Sequence, residues 1–139
     1  MAISQVLCTS FKKELLEGTH NFGSHIFKIA LYTSAATLNA DTTVYSTDNE
    51  VSGTGYVADD KQLTRIDPSS GDGVGFTGFE DVTWTSSSFT ARGALIYNSS
   101  QGDKAVMVLD FGDNKTSNNS TFTVGMPANT STAALIRIT

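Results

Sequence analysis

GALIYNSSQGDKAVMVLDF, residues 93–111, is the stretch on which the fold turns. Gly93–Tyr97 and Ala105–Phe111 are two apolar, strand-length runs, and the seven residues Asn98–Lys104 between them are polar and include Gly102 and Asp103. Two strand signals around such a segment predict an antiparallel hairpin with a longer loop. Immediately upstream, Val82 and Trp84 alternate with Thr83 and Thr85, the period of a half-buried strand, and Phe89–Ala91 continues after the serine run.

Outward from this hairpin the chain carries further strand signals. Ile26–Tyr32 (IFKIALY) reads as a buried strand with Phe27, Ile29 and Leu31 on one face. Lys61–Ile66 is a possible short strand, Thr121–Val124 another, and Ala134–Ile138 closes the sequence with alternation. Residues 33–55 read as a long polar surface loop, within which Glu50–Tyr56 sets two glycines before an aromatic. Residues 67–78 (DPSSGDGVGFTG) and 112–120 read as loops on their Gly, Ser, Asp and Asn content. One helix is expected, at the N-terminus: Ile3, Leu7, Phe11 and Leu15 recur every four residues with Val6 beside them. Ser4 is placed to cap its start and Gly18 to end it. The expected fold class is mainly β, an antiparallel β-sandwich or barrel with one N-terminal α-helix. The division is a helix over 1–18 and a β body over 26–139 within a single domain 1–139.

Composition supports a globular β protein. A chain of 139 residues buries roughly two-thirds of its unfolded surface. Charged residues are 17%, below the usual share, and Ser and Thr fill the gap at about a quarter of the chain. Thr suits strands and Ser suits turns. A net charge of −5 and scattered Lys and Arg set the chain against phosphate backbones and anionic lipid. No apolar run approaches the ~20 residues of a membrane-spanning helix. Binding to neither nucleic acid nor membrane is expected. One cysteine, Cys8, makes no intrachain disulfide, and Lys12 and Lys13 follow rather than precede the first apolar stretch, unlike a signal peptide. Synthesis in a reducing cytoplasm is expected, and the five Asn-x-Ser/Thr triplets starting at Asn98, Asn114, Asn118, Asn119 and Asn129 are read as loop composition.

Motifs of reactive chemistry are matched in letters only. Gly73, Gly75 and Gly78 spell GxGxxG, but a strand should precede and a helix follow to hold a pyrophosphate, and here a loop precedes and a strand signal follows. Asp110-Phe111-Gly112 spells the kinase magnesium triplet in a chain far too short for a kinase. His20 and His25 lack an established metal spacing. Glu80 and Asp81 are adjacent and face opposite sides of a strand, which suits no acid–base pair. Asp67, Asp72 and Asp81 do not have the spacing of a calcium loop. Cys8 reads as a small buried hydrophobe, and Trp84, in phase with Val82, as core rather than as a sugar platform. No catalytic, cofactor-binding or metal-binding residue is assigned, no cofactor is called for, and the chain is read as a non-enzyme.

Several stretches taken in order carry a resemblance: SFKKELLEG, FKIALYTSAATLNADTTVYS and NEVSGTGY, then FEDVTWTSSSFTARGALIYNSS, KAVMVLDFG and ALIRIT. Together they resemble small virion structural proteins of tailed bacteriophages, most closely capsid decoration (cement) proteins. The resemblance covers nearly the whole chain and is weakest over 57–78 and 113–133. It implies a β-rich body, a homo-oligomer, most simply a trimer, bound to the major capsid protein on the outer capsid surface and stabilising the head. The protein would be made in the bacterial host cytoplasm and end in the virion. A tail component contacting tail proteins is the near alternative. A carbohydrate- or receptor-binding β module is another, needing Tyr45, Tyr56 or Trp84 on one exposed face. The polar loops 33–55 and 67–78 and the N-terminal segment are the expected reach toward neighbouring subunits.

Overall fold

The computed structural model describes residues 2–139. In chain order its elements are strand β1 (Val6–Leu7), helix α1 (Thr9–Leu16), β2 (Phe27–Tyr32), β3 (Arg65–Gly71) and β4 (Val74–Phe79). They are followed by β5 (Val82–Asn98), a 3₁₀ turn (Ser99–Gln101), β6 (Lys104–Val124) and β7 (Ile136–Ile138). The architecture is mainly β and antiparallel, in two sheets: a large one ordered β1-β6-β5-β2 and a small one ordered β3-β4-β7.

The expected hairpin forms, with Gly93 opposite Asp110, Leu95 opposite Val108 and Tyr97 opposite Ala105. Its turn is built by Asn98, whose side chain accepts the Ser100 N–H, and by Gly102 in the left-handed region at φ +67°. The hairpin is far longer than expected. The strand signals around Val82, Phe89 and Gly93 are one 17-residue strand, and residues 112–120 belong to the 21-residue β6 rather than to a loop. What the composition hides there is polar cross-strand pairing: Thr90 Oγ1 lies 2.9 Å from Thr116 Oγ1, and Ser87 Oγ donates to Ser117 Oγ at 2.9 Å. The polar run does break the register, since Ala91 faces Lys115 while Gly93 faces Asp110. Four residues of β6, 111–114, therefore bulge out opposite Arg92 alone.

Residues 67–78 are likewise not a loop but the hairpin β3–β4. Asp72 and Gly73 sit at φ +54° and +78°, the pair of left-handed residues that a two-residue type I′ turn requires. The helix is shorter than the apolar spacing predicts. Val6 and Leu7 pair with Val108 and Met107 as β1, and Ile3 bridges to Leu38, so α1 begins at Thr9 with Cys8, not Ser4, at its N-cap. Open strand-edge groups on β6 outcompete a first helical turn for these residues. Gly18, at φ +77°, follows the helix end as expected. Lys61–Ile66 contributes a single bridge at Gln62 before β3 starts at Arg65, and the last strand begins at Ile136 instead of Ala134.

The two sheets meet through aromatic rings. Phe22 stacks on Phe27 at 4.5 Å between centroids, and Phe79 of the small sheet lies 5.6 Å from Phe27 of the large one. Phe11 of α1 closes this cluster edge-on to Phe22 at 5.9 Å. A second aromatic group, Trp84, Phe89 and Phe122 with Tyr56, fills the far half of the long hairpin. Trp84 is 2% exposed, so its role is core.

Candidate interaction surface

Segment 33–60 has few regular elements, yet it is fastened throughout, and this decides which surfaces remain available. Along the outer edge of β2, Leu63 N–H donates to Phe27 O, Ile29 N–H to Lys61 O, Val51 N–H to Leu31 O and Thr33 N–H to Asn49 O, all at 2.9–3.0 Å. Leu31 N–H, on the same edge, is taken by the Tyr56 hydroxyl at 2.9 Å. The edge of β6 is covered in the same way: Ala105 N–H donates to Thr43 O, Tyr45 N–H to Asp103 O and Cys8 N–H to Val106 O. The Gln5 amide oxygen accepts Asp110 N–H at 3.1 Å.

All four tyrosines serve this fastening. Tyr45 and Tyr56 donate to the two oxygens of Glu50, Tyr97 donates to Asp59 at 2.7 Å, and Tyr32 donates to Ser46 O. Tyr45 stacks on Tyr97 at 4.5 Å. Burial, and then the adjoining carboxylates of Glu50 and Asp59, push the Tyr45, Tyr56 and Tyr97 phenols well above their ordinary range. The loop expected to reach toward neighbouring subunits is therefore a fixed cover. Of the aromatics a sugar platform would use, Tyr45 and Tyr56 have their hydroxyls engaged by Glu50, and Trp84 is buried.

The two histidines meet. Asn98, fully buried, orients its amide by accepting Ser100 N–H on Oδ1 and presents Nδ2 at 3.0 Å to Nδ1 of His20 and at 3.0 Å to Nδ1 of His25. Asn21 N–H also donates to His25 Nδ1. Both Nδ1 atoms are acceptors, so His20 carries its proton on Nε2 and donates it to Glu14 at 2.8 Å. The cluster ties α1, the segment after it and the hairpin turn together. Sequence spacing did not show it because the partner Asn98 is 78 residues from His20.

The other candidates disperse. Asp67 pairs with Arg65, Asp72 accepts the Ser131 hydroxyl, and Asp81 accepts Met126 N–H. Among the described residues no group of three or more His, Cys, Asp and Glu is disposed to hold a metal ion. Gly73–Gly78 runs from the β3–β4 turn into β4 with no helix after it, and Gly112 of the Asp-Phe-Gly triplet lies in the β6 bulge at φ +80°. Asp110 accepts Gly112 N–H at 2.8 Å and pairs with Arg92, which together hold its carboxyl below the usual range. Cys8 is buried, and burial pushes its thiol up to about 11.

What remains open is at the small sheet. Its outer strands are β3 and β7, and among the described residues no backbone segment lies beyond either. β3 carries Pro68 at a register shift between Ile66 and Ser69, a blunted edge. The far half of β6, also uncovered, is guarded by its bulges and by Lys115 and Asn118. β7 has no such guard. Ile138 is 59% exposed there, and a trough of about 190 Å³ runs beside it, lined by Leu15, Phe22, Pro68, Gly75, Ile136 and Ile138. Leu16, next to Leu15 on α1, is 91% exposed. An apolar trough beside an unguarded strand edge is fitted to receive another chain. Comparison with protein-family models, with curated proteins and with solved structures found no match.

Proposed function

We propose that this chain is a non-enzymatic virion component of a tailed bacteriophage, seated on the outside of the head as a decoration protein against the major capsid protein. The sequence support is the ordered set of stretches from SFKKELLEG to ALIRIT. The structural observation that carries the reading is the contrast between edges. Segments 43–45, 49–51 and 61–63 fasten β2 and the near half of β6 on the large sheet, while the small sheet keeps one unguarded edge beside an apolar trough. A rigid body that offers an open strand edge suits attachment to a repeating lattice, where each contact is modest and many copies act together.

Immunogold labelling of purified particles, with copy number measured against the major capsid protein, checks this. Label spread over the head at near-stoichiometric copy is the expected result. Low-copy label at the tail moves the assignment to a tail component, and absence from particles overturns the virion reading.

A further inference from the structure

We propose that β7 is a strand-addition site: an extended segment of a partner protein pairs with its free edge, laying apolar side chains into the adjoining trough and an acidic side chain against Arg137. The inference rests on the reading of this end as the attachment surface and names the chemistry of what attaches.

Three observations converge. First, segments 43–45, 49–51 and 61–63 cover β2 and the near half of β6 on the large sheet and Pro68 interrupts β3, whereas among the described residues nothing covers or interrupts β7. Such an edge is a template for main-chain hydrogen bonding. Second, β7 reads Ile136-Arg137-Ile138, and alternation puts both isoleucines on one face, where they line the trough, and Arg137 on the other. An added strand therefore needs apolar residues flanking the one that faces Arg137. Third, among the described residues Arg137 has no carboxylate partner. Arg65 and Arg92, the other arginines of the chain, pair with Asp67 and Asp110, whereas Arg137 reaches only the Ser131 carbonyl at 3.4 Å. A carboxylate directly opposite it on an added strand would complete a cross-strand pair. A second copy pairing antiparallel about Arg137 would instead set two guanidinium groups together, which disfavours self-association and selects a partner of different sequence.

The full chain, isotopically labelled, is titrated by NMR with two synthetic peptides, acetyl-Thr-Val-Asp-Val-Thr-amide and its Lys analogue, acetyl-Thr-Val-Lys-Val-Thr-amide. Saturable shifts centred on the amides of Ile136, Arg137 and Ile138 are expected, about tenfold tighter for the Asp peptide. Arg137→Glu, at an exposed position, should reverse that order while the remaining spectrum stays unchanged. Shifts centred elsewhere, no saturable shift at β7, or an unchanged order in Arg137→Glu overturn the proposal. Concentration-dependent dimerisation through β7 that Ile138→Lys abolishes reassigns the edge to a second copy and overturns it too. Particle labelling is independent of these outcomes. A head-bound chain with an unresponsive β7 removes this inference alone, and a responsive β7 in a chain absent from particles removes the virion reading alone.

Discussion

Nδ2 of Asn98 lies 3.0 Å from Nδ1 of His20, linking the closing turn of the long hairpin to the segment behind α1 across 78 residues of sequence. The same nitrogen serves His25, and the opposite end of the amide caps the 3₁₀ turn. Three parts of the fold thus depend on one buried side chain.

Asn98→Ala leaves two imidazole nitrogens and the Ser100 N–H without this partner. A loss of about 3 kcal/mol is expected, larger than for removing a single hydrogen bond, because unsatisfied buried groups cost more than the bonds contribute. Equilibrium denaturation in guanidinium chloride measures it. A change below about 1 kcal/mol would mean that water replaces the amide and that the junction is not a keystone.

The tyrosine–carboxylate pairs make stability fall on the alkaline side. Folded-state ionisation of Tyr45, Tyr56 and Tyr97 is raised by burial and by Glu50 and Asp59. Their stabilising contribution is thus fully present below the unfolded tyrosine value of about 10 and declines as pH rises above it. Melting temperature should drop steeply between about pH 10 and 11.5. Phenolate absorbance should appear together with unfolding rather than ahead of it. Early phenolate absorbance from all four tyrosines in a folded chain would contradict the assignment.

Gly53 is a point of close approach between segment 33–60 and the long hairpin. A Cβ built there would stand 2.6 Å from Ser88 O and 3.0 Å from Phe89 Cβ, and backbone on that side cannot swing away. Gly53→Ala should cost about 1–3 kcal/mol by forcing the cover off β5. Gly71→Ala, with nothing within 4 Å, is the control and should cost well under that. Paired thermal melts separate the two, and equal losses would show that the close approach is relieved elsewhere.

The Cys8 thiol, buried and pushed up to about 11, should resist modification in the native state. An aromatic disulfide reagent at mildly alkaline pH is expected to label it at the rate of unfolding and instantly in denaturant. Fast labelling of the folded chain would place the thiol at the surface.

The parts of this fold visible in the sequence were those where alternating apolar residues meet a buried face: Val82 with Trp84, Gly93–Tyr97 against Ala105–Phe111, and Phe27 with Ile29 and Leu31. Where strands are polar on both faces the signal vanishes, and Thr90–Thr116 and Ser87–Ser117 hold residues that read as loop. The β3–β4 turn did carry a signal, Asp72-Gly73, masked by the glycines around it. The start of α1 was misplaced because Ile3, Val6 and Leu7 are apolar for a sheet contact that happens to share the helical spacing. Of the open edge nothing was legible, since an edge is defined by which strands fail to find a neighbour.

Pro68 has a consequence for stoichiometry. A sheet open on both sides could be extended without limit, joining particle to particle or chain to chain into fibres. With proline interrupting β3, the uninterrupted edge of the small sheet among the described residues is that of β7. On the proposed strand addition, each small sheet would take up one partner strand, at β7.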